Sequence, residues 1–74
     1  MTYNQAKFIM AFAENNMRMR DTAEYLYFSD GNVRYHLMQV AAETGRDPTK
    51  FYDLCYLVGI AAQVLGGRKS LTYR

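Results

Sequence analysis

Three arginine side chains are the residues of this 74-residue chain best suited to chemistry with another molecule. Arg34 follows the predicted start of a helix, where a guanidinium can bond the O6 and N7 atoms of one guanine. Arg18 and Arg20 lie near the start of the preceding helix, a place that suits contacts to phosphate. This arrangement indicates double-stranded DNA as the partner. Solvated surface arginines would have the same spacing, so that alternative stays open.

The sequence does not indicate metal ligation or catalysis. His36 is the only histidine and Cys55 the only cysteine, which is too few for an internal disulfide or a protein-only zinc site. No nucleophile and no paired carboxylate stands at a spacing that would make His36 an acid–base group. We therefore expect no enzymatic activity, no metal and no cofactor, and we expect His36 to have a packing role.

Composition indicates one small folded domain. Half of the residues are apolar and 15% are aromatic, which excludes a disordered chain. No apolar stretch is long enough to cross a membrane, and the first residues lack the pattern of a signal peptide, so we expect a cytoplasmic protein with no membrane partner. The net charge of +2 is only mildly basic. We expect a helical domain over 1–67 and a flexible basic tail over 68–74.

Apolar periodicity and turn residues divide the chain into four predicted helices and no strands, at about 3–14, 19–27, 30–44 and 49–65. Asn15 and Asn16 mark the first boundary, because asparagine favours helix ends and turns. Ser29 or Asp30 is suited to capping the third helix. Pro48 suits the turn before the fourth. The predicted fold class is an all-α, four-helix domain.

The second and third helices have the spacing of a helix-turn-helix over about residues 19–44. Such a motif needs a small residue where its helices cross, apolar residues behind and within the turn, and aliphatic anchors one turn apart on its second helix. These positions are filled by Ala23, Leu26, Phe28, Val33 and Leu37, which we expect to form one core cluster. Tyr27 stands where glycine is commonest, and a left-handed conformation there would cost about 1 kcal/mol.

From Thr22 onward, about two-thirds of the chain resembles the C-terminal helix-turn-helix domain of the purine-catabolism and sugar-diacid regulators (PucR/CdaR type). The matching segments are Ala23-x-x-Leu26, Val33-Arg34-Tyr35-His36-Leu37, Glu43-Thr44-Gly45-Arg46-Asp47-Pro48 and Asp53-Leu54-x-x-Leu57. The chain departs from the family at Asn32, where threonine is usual, and at His36, where arginine is usual. The family domain normally ends a longer sensor protein, and no sensor segment is seen in this sequence, so we expect a small free-standing regulator or an accessory factor whose partner supplies specificity.

The resemblance implies that the helix over 30–44 enters the major groove and that its outward residues meet the bases. These candidate DNA-binding residues are Ser29, Gly31, Arg34, Tyr35 and Met38, together with Arg18 and Arg20 on the phosphates. Tyr35 suits a contact to the DNA backbone or to thymine methyl groups, and it equally suits covering the edge of the motif. Asp30 is interpreted as a cap.

The fourth helix is apolar on nearly all sides, and a domain of this size cannot enclose it completely. One stripe contains Phe51, Leu54, Cys55, Val58 and Leu65, and we expect it to face the core. The opposite stripe contains Tyr52, Tyr56, Ile60 and Val64, and we expect it to form a homodimer interface. Two alternatives stay open: the tyrosines lie in water, or the helix docks another protein and the domain is a protein–protein interaction module.

Overall fold

A computed structural model describes residues 1–66, and these contain four α-helices and no strand. The helices are α1 (Tyr3–Glu14), α2 (Met19–Leu26), α3 (Asp30–Thr44) and α4 (Phe51–Val64). The predicted all-α, four-helix class is confirmed, and the bounds of α1 and α3 are as expected. Helices α2 and α4 are shorter than predicted, because Tyr27 leaves helical geometry and α4 begins only after Lys50. The expected basic tail over 68–74, with residue 67, lies outside the described residues.

Helix α1 is the centre of the domain. It packs against each of the other three helices, and α2 packs against α3. Its buried side chains Ala6, Ile9 and Phe12 meet Val33 from α3 and Leu57 from α4 in one apolar cluster. The α2–α3 pair and α4 therefore share a core through α1.

The helix starts differ in how their backbone N–H groups are satisfied. Thr2 and Gln5 form a reciprocal capping box at α1, and the Ser29 hydroxyl accepts a hydrogen bond from the Asn32 N–H (3.1 Å) at α3. Of the two predicted caps, Ser29 fills the role, whereas Asp30 is the first residue of the helix and the interpretation of Asp30 as a cap is wrong. Helices α2 and α4 have Arg18 and Lys50 at their N-cap positions, and neither helix has a side-chain cap.

Two connections contain non-glycine residues in the left-handed region. Asn16 (φ 59°) and Met17 (φ 61°) reverse the chain after α1, held by a hydrogen bond from the Met17 N–H to the Phe12 carbonyl (2.8 Å). Tyr27 (φ 62°, ψ 41°) ends α2, and the next N–H, that of Phe28, donates to the Ala23 carbonyl (2.9 Å). Tyr27 therefore adopts the left-handed conformation despite its cost to a residue with a Cβ atom.

The predicted core cluster of the motif needs one correction. Ala23, Val33 and Leu37 are buried together and Leu26 packs against them, but Phe28 is 48% exposed. The buried Phe8 ring is stacked on the His36 ring between α1 and α3, with centroids 4.1 Å apart. Phe28 instead packs on the side of Phe8, at 5.4 Å between centroids.

The inward face of α4 also differs from the prediction. Leu54 is buried as expected, but its buried neighbours are Leu57 and Ala61 rather than Phe51 and Cys55, which are exposed. The reason is that α4 packs on α1 alone, so only one narrow stripe is covered. Within residues 1–66, no helix combines the length and apolarity needed to cross a membrane.

Candidate nucleic-acid interface

The exposed side of α3 carries the residues that the sequence singled out for DNA. We define the α3 outer face as Gly31, Arg34, Tyr35 and Met38. Gly31 and Tyr35 are one helical turn apart, as are Arg34 and Met38, so the four side-chain positions form two adjacent rows on one surface. Ser29 lies at the helix start, with its hydroxyl engaged as the cap. The structure brings these five predicted residues together at the N-terminal half of α3.

No packing contact within residues 1–66 explains the glycine at position 31. A Cβ atom added there would meet no heavy atom within 4 Å, and the residue is helical. Glycine in a helix interior costs roughly 1 kcal/mol relative to alanine. Since nothing in the described residues requires the missing side chain, Gly31 leaves open backbone on the α3 outer face, where another molecule can approach closely.

Arg34 borders a cleft of about 220 Å³ between α3, the start of α2 and the turn before α4. Met19, the first residue of α2, lines the same cleft and is flanked along the chain by Arg18 and Arg20. The uncapped start of α2 therefore lies beside the α3 outer face. Free N–H groups and the helix dipole give such a start positive potential, which arginines at 18 and 20 reinforce.

The two flanking arginines are available to a ligand. Arg18 and Arg20 are exposed, and the Arg18 guanidinium lies 3.7 Å from the Asp21 carboxylate, with both side chains largely in solvent. An exposed pair of this kind contributes little to stability and is readily exchanged for another anion. The predicted phosphate-contacting residues therefore flank Met19, which lines one cleft with Arg34 and Met38 of the α3 outer face.

His36 is part of the support for α3. Its ring is half-buried and stacked on Phe8, and its Nδ1 lies 2.8 Å from the Asn32 carbonyl. A carbonyl oxygen only accepts, so Nδ1 carries the proton and donates to it. Sequence reasoning missed Phe8 as the partner in this stack, since only the fold brings residues 8 and 36 together.

The turn before α4 is fixed by two carboxylates. Asp47 accepts hydrogen bonds from the Thr49 hydroxyl (2.6 Å) and the Thr49 N–H (2.9 Å), and these two bonds lower the pKa of the Asp47 carboxyl below its ordinary value. Asp53 accepts from the Asp47 N–H (3.1 Å) and lies 3.6 Å from the Arg46 guanidinium. Arg46 in turn stacks over the Tyr56 ring at 4.2 Å. One wall of the Arg34 cleft is therefore held in place from α4.

The predicted dimer-interface residues are all on α4, and their exposure differs along the helix. Tyr52 and Tyr56 are exposed, whereas Ile60 is half-buried and Val64 lies at the far end of the helix. Sequence reasoning missed a cavity of about 590 Å³ on the other side of the tyrosines. Its walls include Met17, Phe51 and Cys55. The left-handed turn at Met17 shapes this cavity. The sequence does not predict the turn at this residue, because glycine is the residue that usually marks one.

These features define a small four-helix domain with an exposed helix, α3, and with arginines that flank the start of α2. Comparison of the chain with protein-family models, with curated proteins and with solved structures finds no match. The resemblance to the purine-catabolism and sugar-diacid regulators therefore remains a prediction. Among residues 1–66, no three His, Cys, Asp or Glu side chains are grouped to hold a metal ion.

Proposed function

We propose that the protein binds double-stranded DNA sequence-specifically, as a small transcriptional regulator of the helix-turn-helix kind. The observation that carries the proposal is the uncapped start of α2, flanked by Arg18 and Arg20, lying beside the α3 outer face. In this function α3 enters the major groove. Arg34 reads a guanine, Tyr35 and Met38 contact base edges or thymine methyl groups, and the start of α2 holds the phosphate backbone.

The distribution of charge along the chain determines how strongly we expect the protein to bind DNA. Residues 1–66 carry six Lys or Arg and seven Asp or Glu side chains, whereas 67–74 carry three Lys or Arg and no acid. The helical body has no overall attraction for DNA, so binding depends on the local cluster and on the three basic residues of the tail. We therefore expect modest affinity with a strong dependence on salt.

Fluorescence anisotropy of a labelled duplex, measured from about 50 to 200 mM salt, tests this proposal. The double variant Arg18→Ala/Arg20→Ala should bind every duplex more weakly. It should also flatten the plot of log affinity against log salt by about 2, or roughly 1 for each phosphate that the protein no longer neutralises. Neither side chain caps a helix or is buried, so the fold should be retained.

A matched charge control separates a site from general attraction. Lys7 is exposed on α1 and lines one cleft with Tyr25 and Leu65 and another with Phe28 and His36, but not the cleft that Arg34 lines with Met19. Lys7→Ala should leave the salt slope unchanged, whereas Arg20→Ala should lower it. Equal effects of the two substitutions would mean that no localised phosphate site exists.

Gly31→Leu tests the α3 outer face directly. The space beside Gly31 is open and leucine has the higher helix propensity, so the variant should be at least as stable as the wild type. It should nevertheless lose sequence-specific binding, because the new side chain would occupy the space of a base edge. Unchanged binding by Gly31→Leu would remove α3 from the interface.

A protein–protein interaction module is the second candidate. The exposed aromatic side chains of α4 and the near-neutral helical body favour it. If no duplex binds at low salt with protein well above 100 μM, where even non-specific complexes with dissociation constants of about 10⁻⁴ M form, this second function replaces the first.

A further inference from the structure

Part of α4 is left uncovered by the rest of the described chain. Phe51 is 61% exposed, Tyr52 85% and Tyr56 52%, and Cys55 between them is also exposed. With Gly59 one turn further on, these residues form a continuous surface, which we call the α4 outer face. Side chains of this size usually contribute to a core or an interface, because each can bury about 150–250 Å².

An apolar hollow lies at the edge of this face. It has a volume of about 590 Å³ and is bounded by Met17 from the α1–α2 connection and by Phe51, Leu54, Cys55 and Val58 from α4. This volume falls within the range of about 300–1,000 Å³ typical of pockets that hold a ligand or a large side chain. Among the described residues, no Lys, Arg, Asp or Glu lines the hollow, so an apolar group is the one that it accepts.

Gly59 opens the middle of the face. A Cβ atom added at this helical position would meet nothing within 4 Å, although glycine costs about 1 kcal/mol of helix propensity. Cys55 precedes it by one turn, so two small residues lie adjacent on the helix surface. A helix crossing at this point can approach the α4 backbone closely.

From these features we infer that the α4 outer face is the interface of a homodimer in which a second copy of the chain packs its own α4 across Cys55 and Gly59. Phe51 of each copy fills the hollow of the other. An interface around a two-fold axis must be complementary to itself. This face meets that requirement, since it carries both a projecting aromatic ring and an empty apolar hollow. None of its five residues is charged, and the charged group packed on the face is the Arg46 guanidinium over the Tyr56 ring.

The area available agrees with a weak, specific dimer. At the exposures given above, Phe51, Tyr52 and Tyr56 alone offer roughly 300–500 Å² per copy. Both copies together then bury about 1,000 Å² once Met17, Cys55 and Val58 are included, which is near the lower limit for a specific interface. We therefore expect a dissociation constant in the micromolar range, of the order of 1–100 μM.

This inference supplies the partner for the proposed DNA-binding function, but its test needs no DNA. Sedimentation velocity of the wild type over about 1–300 μM should show a concentration-dependent change from monomer to dimer. Gly59→Gln and, separately, Phe51→Ala should weaken association at least tenfold. Both changes lie at exposed positions, so far-ultraviolet circular dichroism should show retained helix.

Val64→Gln is the matched control. It lies on the same helix at the flank that the sequence pattern indicated for the dimer, away from Phe51 and Gly59. We expect it to leave association unchanged. A wild type that stays monomeric throughout the range overturns the inference, and so does an association that Val64→Gln abolishes while Gly59→Gln and Phe51→Ala do not.

Cys55 gives an independent readout, because it is the only cysteine of the chain. A short bis-maleimide should link two copies of the wild type at Cys55 near the two-fold axis, and the yield should fall with Gly59→Gln. A Cys55→Ser/Glu24→Cys variant moves the thiol to the exposed side of α2 and should link only by random collision. Equal yields from the two positions contradict the dimer. Dimerisation without duplex binding would instead refute the proposed function alone.

Discussion

Replacing Tyr27 with glycine should make the protein more stable, although the change removes a large aromatic side chain. Tyr27 adopts φ 62° and ψ 41°, where an L-residue with a Cβ atom pays about 1–2 kcal/mol. Its side chain is 94% exposed, so almost no packing is lost when it is removed. Against this gain stands the greater freedom of glycine in the unfolded chain, which costs about 0.5–1 kcal/mol. The net expectation is a stabilisation of about 0.5–1 kcal/mol.

Thermal unfolding followed at 222 nm checks this value. For a domain of this size, 1 kcal/mol shifts Tm by about 4–8 °C, so Tyr27→Gly should raise Tm by roughly 2–8 °C. Tyr25→Gly is the matched control, since Tyr25 is also an exposed tyrosine but lies inside α2, where glycine is unfavourable. It should lower Tm. If Tyr27→Gly unfolds at or below the wild-type temperature, the backbone at Tyr27 is not strained and the reasoning fails.

Two further predictions concern the core and the turn before α4. Leu37→Ala should lower the free energy of unfolding, measured by urea denaturation, by about 2–5 kcal/mol, because Leu37 is buried. Phe28→Ala should lower it less, because the Phe28 ring is half-exposed. The reverse order would contradict the packing described for the α2–α3 pair. Asp47 has a lowered pKa, so its bonds to Thr49 stabilise the fold above the ordinary pKa of 3.8 and lose this effect as pH falls through the lower folded value. The Tm difference between wild type and Asp47→Asn should therefore shrink on acidification from about pH 6 to pH 2, and a constant difference would show that the Asp47 carboxylate does not stabilise the turn.

Local signals in the sequence were sufficient to predict the four helices and the all-α class. Asn15 and Asn16 mark the end of α1, and Ser29 both precedes and caps α3, because these side chains act on backbone groups only two or three residues away. The exposed positions of Arg34, Tyr35 and Met38 follow from the helical period once Val33 and Leu37 are assigned to the core.

The errors arose where packing between distant segments decides the outcome. Phe28 has the right spacing for a core residue, but its ring lies against Phe8, which is itself stacked on His36, and stays half-exposed. The sequence pattern of α4 could not show which side of the helix faces the core. A helix that is apolar on all sides has no polar stripe to mark its exposed side. Only the contact of α4 with α1 selects Leu54 and Leu57 over Phe51 and Cys55.

The position of α1 between the α2–α3 pair and α4 connects the two proposed surfaces. Packed helices lie about 8–10 Å apart, so two packing steps, from α4 to α1 and from α1 to α3, put α3 no more than about 20 Å from α4. In a dimer with its two-fold axis beside α4, the distance between the two α3 helices is twice the distance from one α3 to the axis. Major grooves on one side of a duplex recur at about 34 Å, so each α3 would need to lie about 17 Å from the axis. A dimer through the α4 outer face is therefore large enough to place two α3 helices in successive grooves, since α3 and α4 each pack on α1 and are not themselves a packed helix pair among residues 1–66.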